Sequence, residues 1–292
     1  MDKAGRLLGI LAGQPGSSDW PLLHMQAALT LKRLRSRCHV PKGQHCHRRS
    51  AFITLRYGIS HGGGQRAPKN LDNHSMNEKV LNEINGMPVF QRITGFASGA
   101  FVKAIVLTHA HPPTGVMATW APTLYKHYGE KLDGLCSRDF SLLCVFPSSI
   151  FTATTYNLGP RTMCYKHKDF ANLAYGLCSV TSLGQYDPTK GGHLILWELG
   201  TVIQFPPGST ILLASALISH SNTKIGKDET RYSVAHYRAG ALFRWAENGF
   251  QRTEELYNSI PQTTRENLEF LDSFLWEYGL SLLPTFPARA SE

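Results

Sequence analysis

Residues 192–214 read GHLILWELGTVIQFPPGSTILLA: three short aliphatic and β-branched runs, separated by Leu199-Gly200 and by Phe205-Pro206-Pro207-Gly208. Each run is too short for a core helix and each ends at Gly or Pro-Pro-Gly, so the stretch predicts antiparallel strands at 192–198, 201–205 and 209–215. The same texture continues on both sides, at 151–157, 162–166, 176–185, 231–238 and 240–245. Eight short strands with turn signals between them predict a jelly roll or barrel.

Upstream the period changes. Leu22, Leu23, Met25, Ala28, Leu29, Leu31 and Leu34 predict a helix over 21–38, followed by a strand at 51–57. Between about 74 and 134 the pattern is helical again, through Met76, Val80, Leu81 and Ile84, then Phe90 to Leu107, then Leu124 to Leu132. Helices return at 252–258 and 263–279. The expected class is α+β: a double-stranded β-helix (jelly-roll) core, supporting helices on its N-terminal side and a C-terminal helical tail. The chain divides into a basic N-terminal segment at 1–50, a core domain at 51–250 and C-terminal helices at 251–292. Leu7 to Gly13 read as an ordinary helix start rather than a signal core.

The 292 residues are 42% hydrophobic and 17% charged, which excludes a disordered chain. No apolar run approaches a membrane span, so no membrane partner is expected. Six cysteines scattered without a CxxC pair point to a reduced, intracellular protein. Lys and Arg exceed Asp and Glu by 30 − 21 = 9, which points towards a polyanionic partner.

Of the 13 histidines, only His167 has an acid two residues on, Asp169. On a strand these positions share a face and can hold one metal ion together. One such pair among 13 histidines is weak by itself, and a polar strand end is the more ordinary reading of it. A second group changes the odds: His220, with Arg231 eleven residues later and Ser233 on the same strand face. Two histidines and one carboxylate on one face of Fe(II) leave three positions open. Two of them suit the bidentate keto acid 2-oxoglutarate and the third suits dioxygen. The far carboxylate of the keto acid then needs a buried fork of donors, for which arginine serves better than lysine. Neither His193 nor His236 has an arginine at that spacing.

With these residues the chain resembles the Fe(II)- and 2-oxoglutarate-dependent dioxygenases, specifically the TET/JBP branch that oxidises methylated bases in DNA, and within it a fungal group. The likeness runs over roughly 51–250 and is carried by His167-Lys168-Asp169-Phe170-Ala171-Asn172, Gly191-Gly192-His193-Leu194, Phe205-Pro206-Pro207-Gly208-Ser209, His220-Ser221-Asn222, Arg231-Tyr232-Ser233 and Tyr237. The resemblance implies His167, Asp169 and His220 as iron ligands and Arg231 with Ser233 as the cosubstrate clamp. It implies Asn172 as a hydrogen-bond partner of a flipped methylated cytosine and Tyr237 as the ring packed against that base. Where the animal enzymes carry a second base-contacting histidine, this chain has Ala239, a departure that bears on cytosine selectivity, and His236 should point away from Tyr237. The cysteine-rich zinc region of the animal members has no counterpart.

Other clusters carry two readings each. Cys38, His39, His45, Cys46 and His47 resemble a zinc cluster, but the spacing fits no finger, and Lys42, Arg48 and Arg49 read better as a phosphate-contacting segment, with Arg66 in the glycine-rich loop 58–66. His109 and His111 read as surface or packing histidines, and Trp197, Trp245 and Trp276 as core. Asn157 either reaches 2-oxoglutarate, as an asparagine does in AlkB-type enzymes, or serves a turn before Gly159-Pro160. The resulting expectation is a nuclear dioxygenase acting on DNA, converting 5-methylcytosine to 5-hydroxymethylcytosine and further oxidised forms. The alternatives are demethylation of nitrogen-methylated adenine, hydroxylation of a small molecule, and a non-catalytic nucleic-acid-binding module of the same fold.

Overall fold

The computed structural model describes residues 1–41, 43, 46–98, 115–143, 146 and 149–286. Its strands are β1 (Gly9–Gly13), β2 (Thr54–Ser60), β3 (Lys69–Asn70), β4 (Ala153–Asn157), β5 (Cys178–Gln185), β6 (Leu194–Leu196), β7 (Thr201–Ile203), β8 (Thr210–Leu213), β9 (His220–Asn222) and β10 (Thr230–Tyr237). Seven form one antiparallel sheet in the order β1-β8-β5-β10-β4-β2-β3, and three form a smaller sheet, β7-β6-β9. Leu194 and Leu196 of the small sheet share a core with Ile211, Leu213 and Cys178 of the large one. The two sheets therefore face each other as a jelly roll.

Alternation along the strands sorts the large sheet. Leu55, Tyr156, Leu183, Tyr232 and Val234 point outward into a core made with the helices. Those helices are α1 (Trp20–Arg35), α2 (Ser75–Gly86) and α3 (Pro88–Ser98). Helix α1 carries Pro21 in its first turn, where no N–H partner is needed, and Lys32, Arg33 and Arg35 in its last, where they complement its dipole. It buries Trp20, Leu23, Ala27, Leu31 and Leu34 against the sheet. The opposite residues of the same strands, among them Arg231, Ser233 and Tyr237, face the small sheet.

The remaining helices are α4 (Val116–Trp120), α5 (Pro122–Cys136), α6 (Gly240–Glu247), α7 (Thr253–Ser259), α8 (Gln262–Asp272) and α9 (Leu275–Ser281). Leu282 and Leu283 reach the core between the sheets. Among the described residues no helix is long and apolar enough to cross a membrane.

Several elements differ from the sequence reading, each for a local reason. Residues 9–13, read as a helix start, are an edge strand on β8; a run this short cannot support a helix, whereas the sheet edge satisfies its backbone. The strand expected at 51–57 lies at 54–60. The strand expected at 162–166 is an irregular strap, because its N–H groups go to different partners: Thr162 to the Arg231 carbonyl, Cys164 to Asn222 Oδ1 and Tyr165 to the Arg49 carbonyl. The strand expected at 240–245 is helix α6, where Leu242 and Phe243 are buried, Ala246 is half-buried and Arg244 and Glu247 are exposed, a 3.6-residue period. The helix expected at 263–279 is broken into α8 and α9. Trp197 and Trp276, expected in the core, are 46% and 44% exposed, while Trp245 is half-buried against a small core. The stretch to Leu107, with His109 and His111, lies in part or wholly outside the described residues, as do Lys42 and His45.

Candidate metal centre and cosubstrate site

The strap carrying His167 and Asp169 runs beside β9. His167 and His220 face each other across one antiparallel bridge, exchanging backbone N–H···O bonds of 3.1 and 2.9 Å. Their rings come together with centroids 4.3 Å apart. Each Nδ1 lies against a backbone carbonyl, His167 on Tyr165 O at 2.8 Å and His220 on Ile218 O at 3.0 Å. A carbonyl only accepts, so Nδ1 carries the proton and each Nε2 presents a lone pair, the tautomer a metal requires.

Asp169 is held by its N–H on the Ser215 carbonyl at 2.9 Å, and its carboxylate lies 3.9 Å from His167 Nε2 and 3.8 Å from His220 Nε2. One ligand atom from each of the three residues falls within 4.8 Å of the others. Asp169 Oδ1 is buried and has no hydrogen-bond partner, although Arg49 Nη2 stands 2.8 Å away as an ion-pair partner. Burial, with the neighbouring His220 second, pushes the His167 imidazole down to about 4, so it is neutral at neutral pH. Two imidazoles turned Nε2-inward and a carboxylate whose Oδ2 is not taken by Arg49 fit a divalent first-row metal with open coordination positions.

Across the sheet gap, Arg231 is 3% exposed. Its Nη1 donates to the carbonyl and the hydroxyl of Thr162 at 3.1 and 3.0 Å, and its Nε has no partner. Among the described residues no carboxylate pairs with it. A buried guanidinium without an anion is costly, so this corner suits a ligand carboxylate. Beside it, Ser233 Oγ accepts from Asn157 Nδ2 at 2.8 Å, the two residues being directly opposite on β10 and β4. Asn157 is thus a β4 strand residue paired with Ser233 and not a turn residue.

The residues that the resemblance assigned to a base divide differently. Tyr237 continues the face of Arg231 and Ser233, half-buried, with Thr155 Oγ1 3.5 Å from its hydroxyl. Burial raises its phenol, and Arg56, Arg49 and Asp169 are near enough to act on it. Asn172 sits at the turn after Asp169, its N–H on the Asp169 carbonyl and its amide on Ser215 Oγ at 3.0 Å, with a backbone bridge to Ala239. His236 points to the other face, as its strand position demands, between Thr154 and Thr94.

Arg49, expected on a DNA phosphate, pairs with Asp169 through Nη2. Its contact spans 169 − 49 = 120 residues of chain, and no spacing rule exposes such a pair. Thr162 and Ser215 were missed for the same reason. Arg48 and Arg66 are exposed on the surface. His39 stacks on His74 with centroids 4.0 Å apart, and among the described residues, which leave out His45, the only three-residue ligand group is the one above.

No family model matches the chain, and no curated protein does. Solved structures do. NgTET1 in complex with 5mC DNA aligns at 14% identity over 82% of this chain and 74% of its own, with a TM-score of 0.48. A Pseudomonas putida prolyl-4-hydroxylase aligns at 11% identity over 81% and 94%, TM-score 0.36. OsALKBH1 aligns at 9% identity over 73% and 91%, TM-score 0.33.

Proposed function

We propose that the protein is an Fe(II)/2-oxoglutarate-dependent dioxygenase of the TET/JBP type, from its fungal group, that acts in the nucleus on the methyl group of a methylated base in DNA. The observation that carries the reading is the pairing of two features on facing sheets. One is a three-ligand group with its Nε2 lone pairs free, and the other is a buried, anion-free arginine flanked by Ser233 and Asn157.

His167, Asp169 and His220 would hold the iron, and Arg231 with Ser233 and Asn157 would hold 2-oxoglutarate. Together with dioxygen, these groups supply oxidative decarboxylation of the keto acid to succinate and carbon dioxide, with one oxygen atom entering the substrate as a hydroxyl. The chain's own part is positioning. The Nδ1 contacts fix both imidazoles, and Arg49 leaves Asp169 one oxygen for a metal while it holds the other. A base inside a duplex cannot reach ligands seated between two sheets, so it must be flipped, with Tyr237 as its packing wall and Asn172 as its polar edge. Ala239 offers no side-chain donor beside Asn172, and 5-methylcytosine would be read without a second histidine.

The test is mass spectrometry of duplexes carrying 5-methylcytosine or N6-methyladenine after incubation with protein, ferrous iron and 2-oxoglutarate. A retained hydroxymethyl group on cytosine supports the reading. Formaldehyde release from adenine replaces it with nitrogen demethylation, and unchanged bases together with unchanged 2-oxoglutarate replace it with hydroxylation of a small molecule or a non-catalytic module.

A further inference from the structure

The strap that carries His167 and Asp169 meets β9 at the His167–His220 bridge, and one turn outside that bridge touches both segments. Residues 197–199 form one 3-10 turn directly after β6. From it, Glu198 reaches both ligand-bearing segments. One carboxylate oxygen accepts from the Ser219 N–H at 2.6 Å; the other accepts from Ser219 Oγ at 2.7 Å and pairs with Lys168 Nζ at 3.1 Å. Ser219 precedes His220, and Lys168 lies between His167 and Asp169. Although burial opposes it, the Ser219 hydroxyl and Lys168 bring the Glu198 carboxyl down to about 2, so it is ionised at neutral pH.

The neighbouring residue makes a second rung on the other side of the same pair. Trp197 donates from its N–H to the Ser219 carbonyl at 3.0 Å and from Nε1 to Ser221 Oγ at 3.0 Å. Lys166 Nζ lies over the Trp197 ring, 4.5 Å from its centroid. The residues before and after His220, and those before and after His167, are thus all tied to Trp197 and Glu198. This explains a tryptophan that is 46% exposed: it is held there by its partners and not by burial.

We infer that the Trp197-Glu198 turn is a staple that sets the separation and aim of His167 and His220, making Glu198 and Trp197 positioning residues of the metal centre. The inference rests on the metal reading above and adds residues that touch neither metal nor substrate. Outer partners that orient ligands typically change metal affinity by about 10–100-fold when removed. Glu198→Ala loses both Ser219 bonds and the Lys168 pair. Glu198→Gln keeps an acceptor for Ser219 and loses the charge, and Trp197→Phe loses only the Ser221 bond.

The experiment titrates Co(II) anaerobically into the parent, the three variants and Asp169→Ala, reading affinity by calorimetry and ligand geometry by the visible Co(II) spectrum, with thermal melts alongside. The staple predicts roughly 10–100-fold weaker Co(II) binding and an altered spectrum in Glu198→Ala, with partial recovery in Glu198→Gln and a smaller loss in Trp197→Phe. If the parent binds one ion and Glu198→Ala binds it equally well with an unchanged spectrum, the staple is wrong while the metal site stands. Should Glu198→Ala fail to fold, parent-like affinity and spectrum in both Glu198→Gln and Trp197→Phe overturn the staple. A parent that takes up no Co(II) overturns the metal reading beneath it.

Discussion

Arg231 sits between two sheets with its Nε unmet and its Nη1 shared by two oxygens of one threonine. Removing it should cost a charged hydrogen-bond pair worth about 1.5–3 kcal/mol, or roughly 10–150-fold in the 2-oxoglutarate requirement. Arg231→Lys should recover only part, having no planar fork. Titrating 2-oxoglutarate against binding in both variants checks this, and an unchanged requirement moves the clamp elsewhere. His236 makes a second prediction. Burial holds its imidazole down to about 3, against about 6.5 in an unfolded chain. Below pH 6.5 the unfolded state takes up a proton that the fold refuses, so stability is full above that pH and falls as pH drops towards 3, about 1.4 kcal/mol per unit of separation. His127 and His167, each held near 4, add to the same slope. His236→Gln should flatten the dependence of Tm on pH between 6.5 and 4, and an identical slope would refute the assignment. At this scale the gathering of His167, Asp169 and His220 was legible from their spacing and from the family resemblance, and the shared strand face of Arg231 and Ser233 from alternation along β10. Arg49 and Thr162 were not, because their partners are distant in the chain.

At the scale of elements, the strands around Gly200 and Pro206-Pro207-Gly208 announced themselves, since their turns are local chemistry. Residues 9–13 and 162–166 did not: a sheet edge decides the first, and scattered partners on three different segments decide the second. Helix α6 was misread because a short alternation of Ala, Leu, Phe and Trp fits two periods until its packing is known. Helix α1 shows how tertiary contact fixes an element. Trp20 is 2% exposed and donates from Nε1 to the Gly208 carbonyl at 3.0 Å, tying the helix start to the turn before β8. Trp20→Phe should cost about 1–3 kcal/mol by orphaning that buried carbonyl, and Trp20→Ala about 3–5 kcal/mol. Urea melts measure both, and a loss below 0.5 kcal/mol in Trp20→Ala would contradict the packing role.

For the whole molecule, the charge excess of +9 and the surface position of Arg48 and Arg66 predict a salt-dependent hold on DNA. Neutralising either should lower the slope of log K against log salt by about one unit. Arg49→Ala should leave that slope unchanged and weaken metal binding instead, since its guanidinium is engaged by Asp169. A lower salt slope in Arg49→Ala with parent-like metal affinity would return Arg49 to the DNA surface. The central claim joins a metal triad on the small-sheet side to an arginine on the large sheet as one reaction centre. Its most direct measurement is succinate formed per oxidised methyl group on one 5-methylcytosine duplex, with ferrous iron and 2-oxoglutarate supplied in air. The account predicts one succinate per hydroxyl group introduced, and none of either in Asp169→Ala. Folded, iron-loaded protein that makes no succinate with any methylated duplex would contradict it.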